Sequence, residues 1–297
     1  MNKERKDLYC RSKKPNNIQK EVLQEVQLYE DAHETDICLW DIGMTMDFLK
    51  EQKYIFPLDI YIAHQTMRAY VDYCARKGDR CEGGVLEASM DDIIGCLSEE
   101  GIRQYYLPRD RYLSLVKAME NPVDQFFLLG LYEGISSTVG NNEMMNVRIS
   151  DIDGNTLHLP SRDIEISDEL KEIMITSEQT FEYHGTREVH LDAKRDYVVK
   201  PTYRVNAGFS EIAFTRRIER VIEKFGDRFR LELLTPLKIM EIGRFDFIKR
   251  KVNSGEYSLN ELFSWSVDGK AYLHEKVYGT ISRRSMMRKF YERVMEL

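Results

Sequence analysis

Apolar residues recur at three- and four-residue spacing over most of this chain, and this helical period constrains the fold more than any other feature. Ile18, Val22, Val26 and Tyr29 show the spacing, which places them on one side of a helix. The same pattern predicts helices over residues 41–52, 58–77, 90–100, 123–132, 143–148, 167–177, 210–225, 236–253 and 283–295. Residues 156–166 alternate apolar and polar side chains instead, which indicates short strands. The predicted fold class is therefore mainly α with a small β element.

The predicted helix over 58–77 has an apolar stripe and an outer face. The stripe that we expect to be buried consists of Ala63, Met67, Tyr70 and Cys74. Outside the stripe lie His64, Gln65, Arg68 and Asp72. Gly78 follows the helix directly and is a favoured residue for ending one.

Composition along the chain predicts two domains. Residues 1–17 are rich in Lys, Arg and Asn and predict a flexible basic arm. Residues 18–100 predict an all-helical domain, and residues 101–107 a linker. Pro108 stands where a helix can begin, so residues 108–297 form the predicted second domain.

The net charge of −7 conceals a strong asymmetry. Residues 1–186 contain 20 Lys and Arg against 34 Asp and Glu, a balance of −14. Residues 187–297 contain 23 Lys and Arg against 16 Asp and Glu, a balance of +7. A basic half beside an acidic half indicates nucleic-acid contact, although chance segregation of surface charge explains it equally well.

The cysteines predict no metal centre and no cofactor. All five lie in the first third of the chain, at Cys10, Cys38, Cys74, Cys81 and Cys96. None forms a C-x-x-C pair, so reduced thiols in a cytoplasmic protein are expected. No apolar stretch approaches the roughly 20 residues of a membrane helix, and no signal peptide is recognisable.

Short motifs in the second half of the chain occur in the order found in tyrosine recombinases, the phage integrases. Residues 121–124 read Asn-Pro-Val-Asp, residues 131–134 read Leu-Tyr-Glu-Gly, and residues 143–153 begin with Glu and end in Asp-Ile-Asp. Residues 234–240 and 261–266 are similar to two later motifs of that family. The chain thus resembles a tyrosine recombinase over nearly its whole length, and residues 18–100 resemble the family's core-binding domain.

This resemblance implies a two-domain clamp around duplex DNA, consisting of the helical core-binding domain and a catalytic-like domain. In the family, a tyrosine oxygen attacks the phosphate, two arginines offset the charge of the phosphorane, and a lysine and a histidine help to move protons. The first arginine position falls on Gly140, and the histidine and second arginine positions fall on Leu237 and Met240. Trp265 stands where the family uses His or Trp.

The attacking tyrosine corresponds to Tyr278 if four residues are inserted, while the usual spacing lands on His274, and Tyr272 is a second candidate. The family's catalytic lysine has no clear counterpart; Arg162 lies near its place. These departures predict a protein that has lost recombinase catalysis and is not an enzyme.

A clamp without catalysis can still bind DNA through phosphate and base contacts. The residues expected to contact DNA are polar or basic and lie on elements that would face the duplex. They are Gln65, Arg68, Arg148, Arg162, Arg216, Arg217, Arg220, Lys238, Arg244, Lys249 and Arg250. The basic helix over 283–295 can pack on a neighbouring protomer in a homo-oligomer on DNA, bind DNA, or close the chain's own core.

The function predicted from these features is a sequence-specific regulator that occupies operator sites in double-stranded DNA. The resemblance extends to the recombinase-derived lysogeny repressors of SPβ-like Bacillus phages. Two alternatives stay open. One is an active, divergent integrase whose arginines come from positions such as Arg148 or Arg162. The other is an interaction protein whose acidic half binds a protein partner.

Overall fold

The computed structural model describes residues 3–138, 141–184, 188–192, 196–200, 216, 219–220, 223–224, 235–263 and 284–295. These residues are mainly helical and include a small three-stranded antiparallel sheet, which confirms the predicted fold class at that level. The chain divides into two compact units. One consists of Met1–Gln104 with Ser285–Leu297, and the other of Tyr105–Arg284.

The first unit is built from helices. In chain order they are α1 (Lys3–Lys13), α2 (Asn17–His33), a 3-10 turn (Ile37–Leu39), α3 (Ile42–Glu51), α4 (Pro57–Arg76), α5 (Gly84–Glu87), α6 (Met90–Gly95) and α7 (Glu99–Tyr105). Polar caps define several of the starts. The Asn16 side chain accepts from the backbone N–H of Gln19 at α2, and Asp41 does the same for Met44 at α3.

The core of the first unit contains the stripe predicted on α4. Ala63, Met67, Tyr70 and Cys74 are all fully buried, as expected. His64 was predicted to lie outside the stripe, and this was wrong. Its ring is buried, and Nε2 lies 2.9 Å from the carbonyl oxygen of Val85 on α5, 21 residues further along the chain.

The flexible arm predicted over residues 1–17 is also corrected by the structure. Residues Lys3–Lys13 form α1, which packs against α2 and α4. Two of its side chains are buried, Lys6 and Tyr9. The Lys6 ammonium forms a buried ion pair with Glu30 on α2, and the second oxygen of Glu30 accepts from the backbone N–H of Ile37 at 2.9 Å.

The second unit combines helices with short strands. Its helices are α8 (Arg109–Lys117), α9 (Pro122–Tyr132), α10 (Asp168–Glu178), α11 (Pro236–Asn253) and α12 (Leu259–Phe263). Its strands are β1 (Ser137–Thr138), β2 (Asn141–Asn142), β3 (Ile152–Asp153), β4 (Thr156–Leu159), β5 (Arg162–Glu165), β6 (Glu182–His184) and β7 (Glu188–His190). Within the predicted helix over 143–148, only Glu143–Met145 is helical, as a 3-10 turn, and a second 3-10 turn, Ile149–Asp151, follows that range.

Helix α9 forms the centre of the second unit. Its residues from Phe126 to Tyr132 are all buried, as the continuous apolar sequence predicts. Helices α8, α10 and α11 all pack against it. Helix α11 approaches α9 closely at Gly243, where an added Cβ would lie 1.7 Å from the carbonyl oxygen of Tyr132. This close approach requires glycine at position 243.

The antiparallel sheet β3–β4–β5 has a single inner face. Leu157 pairs with Ile164 and Leu159 pairs with Arg162, and these four side chains are buried while their neighbours point outward. The register therefore brings the side chain of Arg162 to the interior. Strands β6 and β7 form a separate hairpin, in which Tyr183 pairs with Val189.

The last described helix, α13 (Arg284–Val294), follows its predicted range and completes the core of the first unit. Its apolar side consists of Met286, Met287, Phe290, Tyr291 and Val294, all buried. The two compact units divide the chain differently from the predicted domains at two places. The end of the chain belongs with the first unit, and α7 runs through most of the supposed linker at 101–107.

Candidate nucleic-acid interface

The glutamate that opens the motif over 143–153 is the centre of a buried ion pair. The Glu143 carboxylate accepts from Arg162 Nε at 3.2 Å and from Arg162 Nη2 at 2.7 Å. Nη2 also donates to the carbonyl oxygen of Gly134 at 2.6 Å, and the backbone N–H of Ser136 donates to Glu143 at 2.8 Å. Only 4% of the Arg162 side chain and 1% of the Glu143 side chain is exposed.

This geometry corrects the prediction that Arg162 contacts DNA. Its guanidinium is enclosed, and the bidentate contact with Glu143 neutralises its charge. The same contact removes Arg162 as a substitute for a missing phosphate-binding arginine, since its donors already point at a carboxylate and a carbonyl.

Arg148, by contrast, lies at the surface. Its side chain is 43% exposed, and its Nη2 donates to the Tyr197 hydroxyl at 3.1 Å. The guanidinium also lies 4.7 Å from the centre of the Tyr197 ring and 3.4 Å from Asp196. The hydrogen bond to Tyr197, followed by the charge of Asp196, raises the pKa of Arg148. Arg148 is thus a charged, partly exposed donor whose position is fixed by Tyr197 and Asp196.

The start of α11 carries the two apolar residues that stand at the family's histidine and arginine positions. Thr235 caps the helix and Pro236 is its first residue. Leu237 is 59% exposed, whereas Met240 is buried against the interior. Residues three apart lie on one side of a helix, yet one of these side chains is exposed and the other is buried. Neither can stabilise a negative charge, because both side chains are aliphatic or thioether groups.

Further along α11, the predicted DNA-contacting cations occupy different sides of the helix. At about 100° per residue, Lys238 and Lys249 fall on one side, and Arg244 lies about 120° away. Lys249 and Arg250 are exposed, while Lys238 and Arg244 are half-buried. Arg250 Nε bonds to Asp246 at 2.9 Å, and Lys249 Nζ lies 5.7 Å from the ring of Phe245.

The remaining predicted positions are partly described. Arg216 and Arg220 are helical and exposed. Gln65 and Arg68 lie on α4 of the first unit, and both are half-buried. The two residues between them in the sequence, Thr66 and Met67, are buried. Outside the described residues lie Gly140, Arg217, Trp265, Tyr272, His274 and Tyr278.

Sequence reasoning missed a polar network at the start of α10. Glu133 is buried, and it accepts from Arg109 Nη2 at 3.0 Å and from both the backbone N–H and the hydroxyl of Ser167, at 2.8 and 2.5 Å. A cavity of about 290 Å³ opens beside this network and is also lined by Arg250. Glu133 directly follows the apolar run of α9. A charged residue in that position is the sequence feature that could have indicated a buried polar network.

The family model described as "MrpR, C-terminal catalytic domain" matches residues 106–261. The chain belongs to this MrpR family. The matched MrpR domain contains the Glu143–Arg162 pair, Arg148, the Glu133 network and α11, and it supports a recombinase-like domain in the second unit. Gln65 and Arg68 lie outside the match. No curated protein matches the chain.

The structure also bears on membrane insertion and on metal binding. Across the part of the chain that the structure describes, no helix combines the length and apolar character needed to cross a membrane. In the same residues, no group of three or more His, Cys, Asp or Glu side chains has an arrangement suited to a metal ion.

Proposed function

We propose that this protein is a sequence-specific, duplex DNA-binding transcription regulator, a phage lysogeny repressor built on a recombinase-type fold that no longer catalyses recombination. It would act on operator sites in the cytoplasm of a bacterial host. The MrpR-family match to residues 106–261 supports the recombinase-derived origin of the fold. Loss of catalysis and occupation of operators are the parts that experiment must test.

The observation that carries the proposal is the chemistry of the positions that should hold a reacting phosphate. Leu237 and Met240 provide no charge. The buried Arg162 is already neutralised by Glu143. A phosphorane gathers negative charge that fixed cations must stabilise, and removing one such donor typically costs a factor of about 10² to 10³ in rate.

Binding of duplex DNA, unlike cleavage, does not require cations gathered around one phosphate. It requires cations distributed over a surface that follows the duplex backbone. The second unit presents exposed Lys249, Arg250, Arg216 and Arg220, and the half-exposed Arg148. We propose that these residues contact phosphates, and that Gln65 and Arg68 of the first unit read base edges in the same duplex, as a two-domain clamp would.

Two experiments test the proposed function. Selection of bound fragments from the encoding genome should return a reproducible short motif upstream of genes. A suicide DNA substrate should leave no covalent adduct. An adduct that forms with the parent protein and disappears in Tyr278→Phe would establish the integrase alternative and overturn the proposal. Absence of any salt-dependent DNA binding would favour the protein-interaction alternative.

The phosphate contacts give a quantitative prediction. Lys249→Gln should weaken binding to specific and random duplexes alike, and should lower the slope of log affinity against log salt by about 0.9, the value for one lost phosphate contact. Lys50→Gln is the matched control, since Lys50 is an exposed cation on α3 outside the predicted set. Equal slopes for the two variants would remove Lys249 from the interface.

A further inference from the structure

A second cavity of the second unit lies along the C-terminal half of α11. Its volume is about 630 Å³, within the roughly 300–1,000 Å³ of small-molecule sites. One part of its lining is the segment Tyr106–Arg109, which leads into α8. The other part comes from α11 and its C-cap, and consists of Phe245, Asp246, Lys249, Arg250, Asn253 and Ser254. These positions recur every four residues, so a single side of α11 faces the cavity.

Part of the lining is aromatic and apolar. Tyr106, Leu107 and Phe245 are mostly buried, and the ring centres of Tyr106 and Phe245 lie 4.5 Å apart. Burial and the contact between the two rings hold this surface in place before any ligand arrives, which lowers the cost of binding one. An aromatic surface of this kind favours a flat apolar group.

The cations of the lining favour a negative charge. Lys249 is exposed and forms no ion pair or hydrogen bond with any residue that the structure describes. The Arg250 side chain is 52% exposed, and its contact with Asp246 uses Nε, at 2.9 Å. Arg109 is a third cation, but Glu133 at 3.0 Å and Glu169 at 3.4 Å offset its charge. Lys249 and Arg250 therefore face one carboxylate, Asp246, and the excess charge is positive.

Uncharged polar groups complete the lining at the end of α11. Asn253 and Ser254 are both exposed, and Ser254 Oγ donates to the carbonyl oxygen of Lys251 at 3.1 Å. A carboxamide such as that of Asn253 matches the adjacent donor and acceptor on the edge of adenine. A ligand that uses all three features has a flat ring with a polar edge and an anionic group, which is the chemistry of a nucleotide.

We propose that this cavity binds a nucleoside monophosphate. The base lies against Tyr106 and Phe245 with its edge toward Asn253, and the phosphate lies at Lys249 and Arg250. The same two cations belong to the set proposed to contact DNA phosphates, so a bound nucleotide and the duplex exclude each other. The nucleotide then acts as an inducer that releases the operator. This regulatory role rests on the proposed function, whereas the binding site does not.

Titration calorimetry of the full-length chain without DNA tests the site, with adenosine monophosphate as the probe. We expect one molecule to bind per chain. Adenosine and inorganic phosphate should each bind at least about tenfold more weakly, because each lacks one of the two groups that the cavity holds. Lys249→Gln should weaken binding of the probe by about 10- to 100-fold, the effect of losing one hydrogen bond to a charged group.

A variant that fills the cavity gives an independent test. Ser254→Trp places a large ring in the lining at the exposed C-cap of α11, and should abolish binding of adenosine monophosphate. Gln179→Trp is the matched control, because Gln179 is the exposed C-cap of α10 and does not line the cavity. Circular dichroism verifies that both variants fold. Lack of saturable binding to the parent chain, undiminished affinity in Lys249→Gln, or equal affinity in the two tryptophan variants would overturn the site.

Competition with DNA is measured separately, by adding adenosine monophosphate to the complex of the parent chain with a duplex of random sequence. Ionic strength is held constant, because DNA affinity depends on salt. At about ten times the dissociation constant of the nucleotide, the apparent dissociation constant of the duplex should rise about tenfold. An unchanged duplex affinity with the nucleotide bound would overturn the inducer role. A chain that binds the nucleotide but no duplex would overturn the proposed function, and the inducer role with it, while the calorimetric result for the site stands.

Discussion

A buried guanidinium is stable only when a negative charge lies against it, and Arg162 depends on Glu143 for this. Glu143→Gln keeps the shape of the side chain but leaves the Arg162 cation uncompensated in the interior. We expect this change to lower the free energy of unfolding by about 3–5 kcal/mol, measured by urea denaturation. Asp163→Asn is the matched control, because Asp163 follows Arg162 on β5. Its ion pair with His158 is at the surface, and both side chains are about half exposed.

The control variant should change stability by less than about 1 kcal/mol. A further test is the double variant Glu143→Leu with Arg162→Met, which replaces the pair by apolar side chains. It should be more stable than Glu143→Gln, because the unpaired charge is gone. If Glu143→Gln is no less stable than Asp163→Asn, the pair does not contribute to the core in the way its geometry implies.

Prediction at the residue scale succeeded where burial follows from local periodicity. The α4 stripe from Ala63 to Cys74 is buried as expected, since its neighbours along the helix determine which side faces inward. It failed for His64 and Arg162, whose partners Val85 and Glu143 lie 21 and 19 residues away in the chain. Such partners are known only once the strands and helices have been placed.

At the scale of elements, the contact between α9 and α11 depends on the absence of a side chain. Gly243→Ala would place a methyl group 1.7 Å from the Tyr132 carbonyl oxygen, so the two helices would have to separate. We expect a loss of about 1–3 kcal/mol or more of unfolding free energy, although alanine is the better helix former. Asn253→Ala, at the exposed end of the same helix, should change stability by less than about 0.5 kcal/mol.

Thermal denaturation of the two variants side by side checks this expectation, and a Gly243→Ala protein as stable as Asn253→Ala would contradict the close approach.

The boundaries of these two helices show how much of an element the sequence can predict. Residues 236–253 were predicted and found as α11, and the apolar run over 123–132 became α9 with one more residue, Pro122. Helix α1 was not predicted because its sequence is highly polar. Its position depends on the ion pair between Lys6 and Glu30 of α2, which the sequence of α1 alone does not indicate.

At the scale of the whole molecule, the sequence predicted the helix at the end of the chain but left open what it packs against. The structure assigns Ser285–Leu297 to the first unit, so the core of that unit contains residues from both ends of the chain. Two ion pairs accompany the apolar contact. Arg293 lies 3.1 Å from Glu99, and Lys289 pairs with Asp91. Amphipathic spacing alone could not choose among the three alternatives, because it does not say what the apolar and basic sides of the helix contact.

This placement makes the stability of the first unit depend on α13. Phe290 is fully buried, and Phe290→Ala should lower the unfolding free energy by about 3–5 kcal/mol through lost apolar contact and the cavity that remains. Glu292→Ala changes the exposed side of the same helix and removes only its surface pair with Arg288, so it should cost less than about 1 kcal/mol. Hydrogen exchange locates the effect, since Phe290→Ala should reduce amide protection in α4 and α6, elements of the unit that α13 completes. Protection lost only in the second unit, or equal stability of the two variants, would mean that α13 packs elsewhere in solution.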